Sequence, residues 1–126
     1  MITPSRAVRV FGYPAPCDMR KGYDSLGALV RDSLEQDLLD GDMFLFVARN
    51  RKRAKVLFFD GTGLFLLCVR LEKGTFACLW SVPGAAEVAL TTTELALFLE
   101  GSHAVGKKAL SPSVLERKDL AMEINI

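Results

Sequence analysis

The chain has 126 residues, 50% of them hydrophobic, and its 16 lysines and arginines against 15 aspartates and glutamates leave a formal net charge of +1. That length and apolar content suit one ordinary globular domain and exclude a disordered tail, while near-neutrality excludes a histone-like coat for nucleic acid. No apolar run approaches the roughly 20 residues of a membrane helix. The start, Met1-Ile2-Thr3-Pro4-Ser5-Arg6, lacks a signal-type stretch, and Cys17, Cys68 and Cys78 form no Cys-x-x-Cys pair, so a reduced, cytoplasmic protein without membrane contact is expected.

Residues 7–11, Ala-Val-Arg-Val-Phe, alternate around Arg9 and predict a first strand that ends at Gly12. Two prolines and two glycines over residues 12–22 predict a loop, which contains Asp18-Met19-Arg20-Lys21. Asp24 can cap the segment that follows. There Leu26, Leu29, Val30, Leu34 and Leu38 recur at helical spacing, so an amphipathic helix is expected as far as Gly41. Residues 43–47, 56–59 and 64–71 predict three strands of an antiparallel meander, the last two joined by Asp60-Gly61-Thr62-Gly63.

After the Lys73-Gly74 turn, residues 76–80 offer a fourth strand, broken at Pro83-Gly84. Thr91-Thr92-Thr93-Glu94 carries the capping signature of a second helix, with Leu95, Leu97, Phe98 and Leu99, that stops at Gly101. The expected class is α+β. Residues 1–101 would form one domain, a small antiparallel β-meander with an N-terminal strand packed with two amphipathic helices, and residues 102–126 a weakly ordered tail with one helical turn near 114–121. The strands are apolar at nearly every position, which predicts helices over one face and a second protomer over the other, hence a homo-oligomer.

Charge is uneven along the chain. Residues 22–42 set Arg31 against Asp24, Asp32, Glu35, Asp37, Asp40 and Asp42, whereas residues 49–55 hold Arg49, Arg51, Lys52, Arg53 and Lys55 and no acid. A strand on each side of that cluster predicts a hairpin with a positive tip. In an extended chain Arg49, Arg51, Arg53 and Lys55 would project from one face at steps of roughly 6.6 Å, suited to tracking a phosphate backbone. Five cations on duplex DNA predict a log-affinity against log-salt slope of about −4.5. The same charges would also serve simply to blunt an edge against aggregation.

Arg20 and Lys21, just before Gly22, form a second candidate phosphate grip, with Asp18 expected to pair with Arg20 and lock the loop. Arg70 and Lys73 at the end of the third predicted strand extend the list, although Arg70 and Glu72 would also pair structurally. Phe76 and Trp80 have faces that stack on bases, yet are expected in the core. The acids of residues 32–42 spread over a helix surface instead of converging on two metal ions. His103 has no ligand at zinc spacing, and there is no glycine-rich phosphate loop. Neither a catalytic residue nor a metal or cofactor is expected.

Over about residues 7–101 these segments, in this order and spacing, resemble the small accessory proteins of TnpB type, products of the second reading frame of insertion-sequence-66 elements. The carriers are Asp18-Met19-Arg20-Lys21-Gly22, Gly41 before Phe44-Leu45-Phe46, the basic stretch 49–55, Asp60-Gly61-Thr62-Gly63, residues 70–76, and Glu94-Leu95 through Gly101. Phe58-Phe59 stand where members often carry tryptophan, and the chain after Gly101 departs from the pattern. The resemblance implies a non-catalytic role in transposition beside a separate, larger transposase that carries the strand-cutting carboxylates. DNA, with the transposon ends as the expected site, is one implied partner. The transposase and other accessory proteins of the element are the others, and an adaptor that docks them without touching DNA is the alternative. Charge alone does not separate DNA from RNA.

Overall fold

The computed structural model describes residues 7–81, 84–85 and 87–101. The tail expectations, and His103 with them, lie outside the described residues. Among the described residues five strands form one sheet in the order β4-β3-β2-β1-β5: β1 is Val10–Gly12, β2 Met43–Val47, β3 Arg53–Phe59, β4 Leu64–Arg70 and β5 Val88–Leu90. The meander β2-β3-β4 is antiparallel as expected, with Leu45 opposite Val56 and Val56 opposite Leu67. The N-terminal strand runs parallel to β2 and antiparallel to β5, so the sheet is mixed and the class α+β.

Side chains alternate across this sheet, and along β2 and the middle of β3 both faces are buried. Leu45, Val47, Ala54 and Val56 face helix α2, Thr92–Leu99, together with the segment that carries Phe76 and Leu79. Phe44, Phe46 and Leu57 face helix α1, Tyr23–Asp32, through Leu26 and Val30. The helices therefore cover opposite faces, which corrects the expectation of helices on one side and a second protomer on the other. Gly12 belongs to this packing, because a Cβ there would stand 3.1 Å from Leu79 Cδ1 and 3.3 Å from Val88 Cβ.

Four local expectations change. Helix α1 is capped by Gly22, with no side-chain cap, and Asp24 sits in its first turn, where a negative charge suits the exposed N–H groups. The helix stops at Asp32 instead of reaching Gly41. Leu34 N–H bonds back to Leu29 O, Glu35 takes a left-handed backbone (φ 55°), and a 3-10 turn, Leu38–Asp40, follows with Asp37 accepting from Leu39 N–H. Leu34 and Leu38 still reach the α1-side core, so the apolar rhythm outlasts the helix that it suggested.

Strand β3 begins at Arg53, earlier than the apolar run that marks it. Residues 76–80 form no strand. Phe76 instead stacks on Phe98 with ring centroids 5.1 Å apart, Leu79 is buried, and Trp80 packs against the same cluster. The fifth strand is β5, which the sequence did not announce.

The expected cap of α2 is present: Thr91 Oγ1 accepts from Glu94 N–H, and Glu94 Oε1 accepts from Thr91 N–H. Thr91→Ala should lower stability by about 1 kcal/mol, read as a lower urea midpoint with an unchanged slope. The β3–β4 turn is held by Asp60 Oδ1, which accepts from Thr62 N–H, Thr62 Oγ1 and Gly63 N–H, while Gly61 supplies φ 108°. These bonds, Gly63 N–H foremost, hold the Asp60 carboxyl below the ordinary 3.8. Its stabilisation is complete above that value and is lost as the pH falls through the lower folded value. The urea midpoint should therefore drop between about pH 6 and about pH 3, and drop less in Asp60→Asn.

Candidate nucleic-acid interface

The groove that gathers the cations is built by the route of the N-terminal loop. After β1 the chain keeps running alongside β2, with Tyr13 N–H donating to Leu45 O and Cys17 N–H to Val47 O. Strand β2 ends at the hairpin tip, so the loop delivers Asp18–Lys21 beside that tip. At the end of the loop, Lys55 Nζ donates to Lys21 O at 2.8 Å and ties it to β3.

Two adjoining depressions result. One, of about 460 Å³, is lined by Met19, Arg53, Ala54, Lys55, Cys68, Val69, Arg70 and Glu72. The other, of about 550 Å³, is lined by Asp18, Met19, Arg20, Ala48, Arg49, Asn50 and Arg53. Met19 and Arg53 belong to both. Two sites far apart in sequence thus share one concave surface.

The hairpin tip is a turn, not an extended run. Arg51 N–H donates to Ala48 O, Ala48 N–H to Arg53 O, and Lys52 N–H to Asn50 Oδ1. Arg51 takes a left-handed backbone (φ 58°), and its Nη1 donates to Phe76 O at 3.2 Å while its carbonyl accepts from Phe76 N–H at 2.7 Å. The predicted one-sided ladder of Arg49, Arg51, Arg53 and Lys55 is therefore broken. Arg51 is spent on holding the Phe76 segment, and only Arg53 and Lys55 alternate within β3. Lys52 and Lys73 are exposed but line neither depression.

Arg70 gains a neighbour that the sequence does not reveal. It lies directly opposite Arg53 across β3 and β4, on the groove side, and Lys55 is opposite Cys68 on the same side. Arg70 Nη2 is 3.4 Å from Glu72 Oε2, with both side chains well exposed. Arg20 forks onto Asp18, Nη2 to Oδ2 at 2.7 Å, which fixes the loop as expected and leaves the guanidinium at the solvent rim. The side-chain bonds from Arg20 hold the Asp18 carboxyl well below the usual range.

Three of the acids in residues 32–42 are engaged away from the groove. Asp32 pairs with Arg31, Asp37 caps the 3-10 turn, and Asp42 is buried and accepts the Arg9 guanidinium and Arg9 N–H. The Arg9–Asp42 clamp, which sequence reasoning did not single out, ties the entry of β1 to the entry of β2. Among the described residues no cluster of histidine, cysteine or acid is placed to hold a metal ion, and no helix is long and apolar enough to cross a membrane.

The family model for IS66 Orf2-like proteins matches residues 8–109. The chain belongs to that family. The match continues past Gly101, beyond the extent that the motifs suggested. Among curated relatives, Uncharacterized protein y4hO of Sinorhizobium fredii is 33% identical over 101 residues, 80% of this chain and 86% of the relative. Uncharacterized protein y4jC of the same organism is 40% identical over 76 residues, which are 60% of this chain and 65% of that relative. No solved structure matches. As an IS66 Orf2-like protein the chain has its place in transposition, in an accessory role, and the cationic groove falls wholly inside the matched residues.

Proposed function

We propose that this protein is a non-catalytic accessory of transposition that grips the DNA backbone in the groove between the 18–21 loop and the hairpin tip, beside a separate transposase. The observation that carries the reading is the Arg53–Arg70 pair. Like charges directly opposite on neighbouring strands cost stability, and here Arg49 and Lys55 add charge to the same hollow. A phosphate seated between such guanidiniums would relieve the repulsion through charge-assisted bonds. Transposon ends are the natural duplex.

A protein-docking role has one observation in its favour. On the α1 side Asp24, Glu35 and Asp37 line a second, acidic groove that includes Tyr23, 47% exposed, and Leu64. Retention of the purified chain on a DNA column at moderate salt, in the absence of transposase, separates the two readings. Retention is expected. Co-purification with transposase from nuclease-treated lysate, with no retention on DNA, would assign the protein to the adaptor role instead.

A further inference from the structure

Among the described residues, the two edges of the sheet differ. β5 is three residues long and ends in buried Leu90. β4, at the other edge, has seven residues with no proline, no glycine and no charge before Arg70. Phe65 and Leu67 are each 47% exposed, Leu64 is 37% exposed, and Cys68 is exposed as well. A long apolar edge without the usual blunting devices is a template for another strand.

We propose that β4 pairs antiparallel with β4 of a second copy, joining two five-stranded sheets across a two-fold axis. The strand is complementary to itself, as such an axis requires. Full overlap of its seven residues centres on Leu67, which then faces the partner's Leu67. Residues opposite one another share a face, so Phe65 lies against the partner's Val69 and the apolar stripe of Phe65, Leu67 and Val69 runs unbroken through the junction. The stacked rings of Phe58 and Phe65, 5.2 Å between centroids, give that stripe a rigid flank.

Charge selects the direction. The acid of the Asp60–Gly63 turn precedes β4 and Arg70 ends it, so antiparallel pairing sets each Arg70 opposite the partner's Leu64, next to the partner's Asp60 turn. Parallel pairing would set Arg70 beside the partner's Arg70, a like-charge contact. The axis is perpendicular to the sheet, so both cationic grooves stay on one face, with the two Arg70 positions roughly 20 Å apart at about 3.4 Å per residue. The pairing itself does not depend on DNA binding.

The full chain should sediment as a dimer. Leu67→Lys, which puts two cations together on the axis at an already exposed position, should give a folded monomer by circular dichroism and sedimentation. In Leu67→Cys combined with Cys68→Ser, mild oxidation should link the two copies, because a cysteine facing itself on paired strands is within disulfide reach. A monomeric native chain overturns the proposal. So does a dimer that survives Leu67→Lys, or one that fails to cross-link through position 67.

Discussion

Replacing Arg53 and Arg70 together by threonine should raise the melting temperature of the free protein and weaken its hold on duplex DNA. The two arginines are directly opposite on β3 and β4, and removing like-charge opposition is worth roughly 0.2–1 kcal/mol. For a domain of about this size, 1 kcal/mol moves the melting temperature by roughly 4–8 °C. Threonine also suits a strand. Because Glu72 lies 3.4 Å from Arg70 and offsets part of the repulsion, the gain should fall in the lower half of that energy range, a rise of about 1–5 °C. On the DNA side each arginine–phosphate bond is worth roughly 1.5–3 kcal/mol, so the double variant should bind at least about a hundredfold more weakly. Opposite signs on the two readouts are the mark of a site held ready for an anion. If the arginines served only to keep an edge soluble, DNA affinity would not change with them.

Phe44→Ala should be the most damaging single substitution to the fold, at about 3–5 kcal/mol. Phe44 is 0% exposed in the middle strand, stacks on Phe11 with centroids 5.7 Å apart, and belongs to the cluster that holds Leu26 and Val30 of α1 against the sheet. Truncation leaves a void between fixed walls, since β1 and β3 pin the strand on both sides. A domain is stable by only about 5–15 kcal/mol, so the loss takes a large fraction of the total. Urea unfolding measures it. A cost under about 1 kcal/mol would mean that α1 does not pack against Phe44.

Elements with a strong local signal were legible in the sequence. The Thr91-x-x-Glu94 box, the Asp60-Gly61 turn and the apolar runs of β2 and β4 each follow from chemistry contained within a few residues. The reading failed where distant contacts decide. Leu34 and Leu38 keep the helical rhythm only because a left-handed Glu35 and a 3-10 turn carry them back to the same core. Phe76 and Leu79 have the content of a strand, but the Phe76 backbone is spent on Arg51 and both side chains pack into the cluster that holds α2. β5 is too short to show a period.

The candidate site divides in the same way. That residues 49–55 form a charged tip was visible, and the Arg53-Ala54-Lys55-Val56 alternation already held the signal that β3 starts early. That Arg51 turns inward depends on one left-handed residue, and that Arg70 meets Arg53 depends on strand register. That Arg20 and Lys21 lie beside the tip depends on the loop running alongside β2. None of these can be read from local spacing.

The most direct test of the groove as a DNA grip is the affinity of the native chain for a duplex of the element's ends, followed over a series of salt concentrations. Contacts from Arg49, Arg53, Lys55 and Arg70 predict a log-affinity against log-salt slope near about −3.6, falling to about −1.8 in the Arg53→Thr/Arg70→Thr variant. No binding at low salt, or a slope that the variant leaves unchanged, would contradict it.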